Sequence, residues 1–198
     1  KAGLDVITGQ TGADTIELGA GADDNVRQTV VFTTHLDGSA MAMGAGGFDI
    51  VTRFDANANN TADDIFKFDG ALETLLGDAN DTLSTGTDNT NRQGGTHQDF
   101  SANELTVLGD AAVEVNFTEL TTNDLAAVVT ELDEQVNFGT MTDGQAYIFV
   151  LNVSATQAGI FVYVDNGSDD TIVAADIALL ATVVHNDGTD LAVGNFTL

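Results

Sequence analysis

The sequence predicts a mostly β protein: a short solenoid of nonapeptide turns over residues 1–70, a polar linker over 71–103 and a C-terminal β-rich α+β unit over 104–198. Three observations predict it. A Gly-x-Asp motif recurs every nine residues, at Gly3-Leu4-Asp5, Gly12-Ala13-Asp14 and Gly21-Ala22-Asp23. Short runs rich in β-branched and aromatic residues recur later, the best of them at 147–153 and 160–164. Between the two groups, 77–100 is rich in Gly, Thr, Asn and Asp and carries turn and loop composition.

In the first element each residue type has a chemical reason for its place. Glycine reaches the φ > 0 conformations of a tight turn, the aspartate carboxylates and turn carbonyls are hard oxygen ligands for Ca2+, and Ile7 and Ile16 fill a narrow core. The third repeat puts Asn25 where an apolar residue belongs, so the array ends there. A strand (Val26, Val30, Val31, Phe32) and a small-residue loop over 37–47 follow. The glycine chemistry then returns as Gly44-Ala45-Gly46-Gly47-Phe48-Asp49, a turn that enters a strand running to Asp55, and 62–70 reads as the next strand around Asp64. The competing reading of the same residues is a series of solvated Gly/Asp loops.

These repeats resemble the RTX (repeat-in-toxin) family, whose consensus is G-G-x-G-x-D-x-U-x. The chain departs from that consensus where Ala2, Thr11 and Ala20 replace a glycine. The resemblance implies the end of a right-handed parallel β-roll with calcium held between turns eighteen residues apart. It implies that Asp5 and Asp23 share one ion with carbonyls of the Gly3 and Gly21 turns, and that Asp14, on the Gly12 turn, pairs with a turn lying before Lys1. The returning signature predicts a further ion at Asp49 and the Gly46-Gly47 turn, with Asp23, Asp24, Asp55 or Asp64 as co-ligands. Asp49-Ile50, Arg53-Phe54-Asp55 and Asp64-Ile65-Phe66-Lys67-Phe68 are similar to the segment that closes such rolls in serralysin-type proteases, although Arg53 stands where that family has Asp. The resemblance covers about the first 70 residues.

Further along, 71–76 reads as a short helix and 77–100 as a long exposed loop. Leu105-Thr106-Val107-Leu108 and the alternating Val113-Glu114-Val115-Asn116-Phe117 are predicted strands. A helix is predicted over 122–134, because Leu125, Val128, Val129 and Leu132 share one face. Around Ala158-Gly159 the two best strands are expected to turn as a hairpin. Ile177, Leu180 and Val184 place one helical face on 171–184, and 191–198 is a strand-like apolar tail. Asp165 and Asp176 bracket a twelve-residue stretch that is EF-hand-like in its acidic residues but lacks glycine at the sixth place, so a solvated turn is the default there. That turn is similar to one near the C-termini of type I secreted proteins.

The formal charge of −26, from 31 acidic and 5 basic residues, disfavours nucleic acid and anionic membrane as partners and opposes compaction unless cations neutralise it. An apolar fraction of 43% is nevertheless that of a folding chain. There are no cysteines and no prolines, so disulfides and thiol chemistry are excluded. No apolar run reaches the length of a membrane-spanning helix, so no membrane insertion is expected. The chain starts inside a repeat, without the apolar core of a signal peptide, and its acidic and apolar C-terminus is similar to an uncleaved type I secretion signal. His35, His97 and His185 are isolated, and neither H-E-x-x-H nor G-x-S-x-G occurs. The function expected is non-enzymatic: a calcium-binding structural module of a secreted bacterial surface-layer, adhesin or matrix protein, self-associating or joining other surface subunits. The alternative is the non-catalytic RTX tail of a secreted hydrolase, such as a metalloprotease or lipase, whose catalytic domain lies upstream of Lys1. Millimolar extracellular calcium fills sites of ~10⁻⁴–10⁻³ M affinity, which couples binding to folding outside the cell.

Overall fold

The computed structural model describes residues 4–10, 12–19, 26–34, 47–56, 63–76, 84–89, 98–99, 104–109, 113–122, 124–137, 144, 146–165, 172–185 and 188–198. Five short strands form the first part: β1 (Val6–Thr8), β2 (Thr15–Glu17), β3 (Thr29–Phe32), β4 (Asp49–Phe54) and β5 (Ile65–Phe68). Successive strands enter different sheets. β1, β3 and β5 pair in parallel in one sheet, with Ile7 against Val30 and Val30 against Phe66, while β2 and β4 pair in parallel in another, with Ile16 against Val51. Ile16, Val30, Phe32, Val51, Phe54, Phe66 and Phe68 are buried in one shared cluster, which Ile7 flanks.

Each of these two sheets is completed by later residues. β13 (Phe196–Thr197) pairs in parallel with β5 and closes a four-stranded sheet ordered β1-β3-β5-β13. The other sheet has seven strands, adding β12 (Ile177–His185), β11 (Gln157–Val164), β10 (Ala146–Ser154), β8 (Glu104–Leu108) and β6 (Ser84–Asn89) after β4. A two-stranded ladder joins β7 (Gln98–Asp99) to β9 (Val136–Asn137). Residues 1–70 and 104–198 therefore share both larger sheets, through the parallel β4–β12 and β5–β13 pairs.

Strands β10, β11 and β12 are buried almost throughout, and their period-two alternation sorts side chains between two cores. Ile148, Val150, Ile160, Val162, Leu180 and Val183 face the core shared with the four-stranded sheet. Tyr147, Phe149, Leu151, Phe161, Tyr163 and Leu179 face a second core, which α2 (Phe117–Thr121) and α3 (Leu125–Gln135) cover through Leu120, Leu125, Val128 and Leu132. A short helix, α1 (Gly70–Leu75), follows β5 and buries Leu72. The longest described helix is α3, at 11 residues, and no described helix is long and apolar enough to cross a membrane.

Several expectations are corrected. Within the stretch expected to be helical the chain forms β12 (Ile177–His185) instead. A strand buried on both faces is apolar along its whole length, and such a run also satisfies helical spacing. The alternation at 113–117 does not make a strand, because Asn116 caps α2: its Oδ1 accepts from the N–H groups of Thr118 and Glu119, while Glu119 Oε2 accepts from the Asn116 N–H. The helix expected over 122–134 begins at Leu125. β10 and β11 turn at Ala155-Thr156, and Gly159 lies inside β11, where a Cβ would come within 2.9 Å of Leu120 Cδ1. The stretch 77–100 contains β6 and β7, and its remaining residues lie outside those described.

Two local features fix the strand ends. Arg53, at φ 62°, is the extra residue where β4 slips against β12, so that Val184 opposes Thr52 and His185 opposes Phe54. This bulge keeps Phe54 pointing inward. The Arg53 guanidinium meets Glu17 at 3.0 Å on the surface, a contact worth at most about 1 kcal/mol. The second feature is Asn152, fully buried in β10. Its Nδ2 donates to the carbonyls of Leu108 (3.1 Å) and Leu191 (3.0 Å), and its Oδ1 accepts from the Leu191 N–H (2.9 Å).

Candidate metal centre

Strand pairing decides which carboxylates meet. Because Thr15 of β2 pairs with Ile50 of β4, Asp14 and Asp49 stand side by side at the entrances of the two strands. The Asp14 carbonyl accepts from the Ile50 N–H at 2.8 Å, and the Asp14 N–H donates to Asp49 Oδ1 at 2.9 Å. Each carboxylate then has its Oδ2 next to Gly9. A Cβ placed on Gly9 would lie 2.6 Å from Asp49 Oδ2 and 3.2 Å from Asp14 Oδ2, so both oxygens converge on one spot that only glycine leaves open. The turn that brings Gly9 there uses left-handed backbone at Gln10 (φ 64°) and Gly12 (φ 128°). Asp49 is 1% exposed.

The same backbone pattern recurs in the other sheet with a different chemical outcome. Gln28 precedes β3 and Asp64 precedes β5. The Ile65 N–H donates to the Gln28 carbonyl at 3.0 Å, and the Gln28 N–H to Asp64 Oδ1 at 2.8 Å, matching Ile50, Asp14 and Asp49. Here an amide replaces one of the two carboxylates, and it accepts from the Gly19 N–H at 3.2 Å. Asp64 Oδ2 accepts from the Asp55 N–H at 3.0 Å, so this carboxylate ties β3, the end of β4 and the start of β5 together. Asp55 and Asp64 are both buried.

Of the sequence-predicted ligands, the structure brings together Asp14 and Asp49, and separately Asp55 and Asp64. Asp14 therefore has Asp49 as a neighbour within the chain. Asp55 lies just past the far end of β4, which Asp49 opens, more than about 15 Å away at strand rise, so neither it nor its neighbour Asp64 can share an ion with Asp49. Gly47 is half-buried just ahead of Asp49, and Asp5 is exposed, its carbonyl accepting from the Thr29 N–H at 2.9 Å. Gly3, Gly21, Asp23, Asp24 and Gly46 lie outside the described residues, and with them the expected Asp5–Asp23 pair.

Among the described residues no three carboxylates or histidines form a metal-holding group. The Asp14–Asp49 pair fits a Ca2+ ion as two carboxylates on a glycine cradle, leaving further oxygens of a six- to eight-fold shell to carbonyls and water. The EF-hand-like stretch begins and ends on buried residues. Tyr163 Oη donates to Asp165 Oδ1 at 3.3 Å, and burial followed by the charges of Asp165 and Asp176 pushes that phenol above its ordinary range. Residues 166–171 lie outside the described residues.

Sequence reasoning missed Gly9 and Gln28. Gly9 had a signal, a glycine three places before Gly12. Gln28 had none, because the partners of β1 and β3 are 23 residues apart and those of β2 and β4 are 35 apart, so the period of nine no longer tells which residues align. No protein-family profile, no curated protein sequence and no solved structure matches the chain.

Proposed function

We propose that the chain is a calcium-binding structural module of a secreted bacterial surface or extracellular-matrix protein, of the surface-layer, adhesin or filament kind, which folds on calcium outside the cell and assembles there with itself or with other subunits. The observation that carries this reading is the convergence of the Asp14 and Asp49 carboxylates on Gly9. Two carboxylates facing one spot repel each other, and a bound Ca2+ supplies the positive charge that offsets the repulsion. Gly9 holds the space open, the Asp14 N–H orients Asp49, and the parallel β2–β4 register holds both aspartates at the same height. The alternate placing of β1–β5 in two sheets, with parallel pairing among them, supports an RTX-type β-roll as the frame, and the charge of −26 supports a fold that waits for cations.

Calcium titration by calorimetry, with far-ultraviolet circular dichroism in EDTA and then in excess calcium, tests the proposal. The chain is expected to gain structure on calcium addition and to lose it with chelator, magnesium substituting poorly because it demands a smaller octahedral shell. Asp49→Asn should weaken calcium binding about tenfold or more, the scale of losing one charged ligand contact. Gly9→Ala should weaken it as well while leaving every charge in place, because its methyl group would meet Asp49 Oδ2 at 2.6 Å. A calcium isotherm unchanged by both substitutions, together with an apo spectrum equal to the loaded one, would overturn the reading.

A further inference from the structure

Five residues stand at the entrances of β1–β5: Asp5, Asp14, Gln28 and Asp64 one place ahead of their strands, and Asp49 opening its own. Their backbones are matched. The carbonyls of Asp5, Asp14 and Gln28 accept from the N–H groups of Thr29, Ile50 and Ile65 at 2.9, 2.8 and 3.0 Å. Four of the five are aspartate, and the exception, Gln28, is buried at 6% exposure.

The side chains bond differently at the two stacked steps. Between Asp14 and Asp49 the Oδ2 of each carboxylate lies beside Gly9. Between Gln28 and Asp64 each side chain turns back to the residue that begins its own loop. Gln28 Oε1 accepts from the Gly19 N–H at 3.2 Å and Asp64 Oδ2 from the Asp55 N–H at 3.0 Å, both nine residues earlier. Each loop is thus clasped on itself by a backbone donor, and the Gln28 N–H on Asp64 Oδ1 joins the two.

Arg27 adds charge to the same step. Its Nε donates to the Asp63 carbonyl at 3.1 Å, so a guanidinium crosses from the Gln28 loop to the Asp64 loop. Asp14 is preceded instead by Ala13, and Asp49 by Phe48. The later loop of the second step is acidic at Asp55, Asp63 and Asp64, so the earlier loop decides the balance. Arg27-Gln28 brings a cation and a neutral acceptor, where Ala13-Asp14 brings a carboxylate alone. Two facing carboxylates need a cation from outside, whereas a carboxylate bonded by two N–H groups beside a guanidinium has its stabilisation built in.

We infer that residue 28 determines which strand-entry step takes an ion, and that Arg27-Gln28 fastens the Gln28–Asp64 step without calcium. The inference rests on the calcium reading of Asp14 and Asp49. The first step then answers to calcium while the second keeps its register without it, and the side chain ahead of β3 sets the boundary between them.

Arg27→Ala/Gln28→Asp, which writes the Ala13-Asp14 pair into the second step, tests this by calcium calorimetry on the whole chain. It should bind one calcium per chain more than the unaltered protein. Arg27→Ala/Gln28→Asn, of the same size without the charge, should bind no more. Circular dichroism in saturating calcium checks that both fold. The inference is overturned by no added ion in a folded aspartate variant, by an added ion in both variants, or by an aspartate variant that stays unfolded in saturating calcium while the asparagine variant folds. Gln28→Glu alone, which keeps the side chain's shape, reads the same role through stability: its melting temperature should rise more steeply with calcium concentration than that of the unaltered protein, by the share of one further ion. An unchanged slope overturns the inference as well. A calcium isotherm indifferent to Asp49→Asn overturns the reading of Asp14 and Asp49 instead, and leaves these comparisons intact.

Discussion

Replacing Phe66 with alanine is expected to cost about 3–5 kcal/mol of folding stability, the range for removing a fully buried aromatic ring. Phe66 is the hub of an aromatic stack. Its ring lies 4.4 Å from Phe54 and nearly parallel to it, 5.5 Å from Phe196 and 6.1 Å from Phe32. Those partners come from β4, β13 and β3, so one ring joins the early strands to the last one. Domains are typically stable by about 5–15 kcal/mol, so the loss takes roughly a fifth or more of the total. Equilibrium denaturation in calcium should show the midpoint falling with little change in slope, while Phe66→Leu, which keeps most of the volume, should cost far less. A loss under about 1 kcal/mol for the alanine variant would mean that this stack does not hold the sheets together.

Asn152→Ala is expected to be the next most damaging change, at about 3 kcal/mol, because it leaves buried backbone groups without partners. The side chain satisfies the Leu108 carbonyl at the end of β8 and both the N–H and the carbonyl of Leu191, which lies ahead of β13. The effect should be local before it is global. Amide exchange measured along the chain should rise first at 191–198, releasing Phe196 from the aromatic stack, while β10 and β11 stay protected. Asn152→Asp should be worse than alanine, since a carboxylate would face the Leu108 and Leu191 carbonyls in a buried site. Uniform exchange along the chain in Asn152→Ala would mean that the 191–198 segment is held by something else.

What could be read in advance follows from how far along the chain each cause acts. The hairpin strands β10 and β11 were legible because Tyr147, Ile148, Phe149, Ile160 and Phe161 carry their preference locally. Asp14 and Asp49 could be picked out for the same reason, each being announced by nearby glycines. Their meeting was not legible, because it depends on β2 and β4 aligning across a long intervening segment. β12 was misread since burial on both faces removes the alternation that identifies a strand. Val113-Glu114-Val115 alternates like a strand, but the four residues from Asn116 to Glu119 complete a capping box that decides otherwise. Glu131 falls one helical turn after the buried Val128, but nothing local marks its carboxylate for burial. Only the packing of α3 against 113–116 buries it.

The pairing of Phe66 with Phe196, and of Ile50 with Thr182, has a kinetic meaning. Closing a loop of roughly 130 residues costs on the order of 4 kcal/mol of chain entropy, since the cost grows only as the logarithm of length. Once either pair has formed, the ends of the other loop are already neighbours and its closure costs far less. The two ladders therefore assemble as one event, and neither the early strands nor the late ones have a barrier of their own to cross. With no proline in the chain, prolyl isomerisation adds no slow phase to this search.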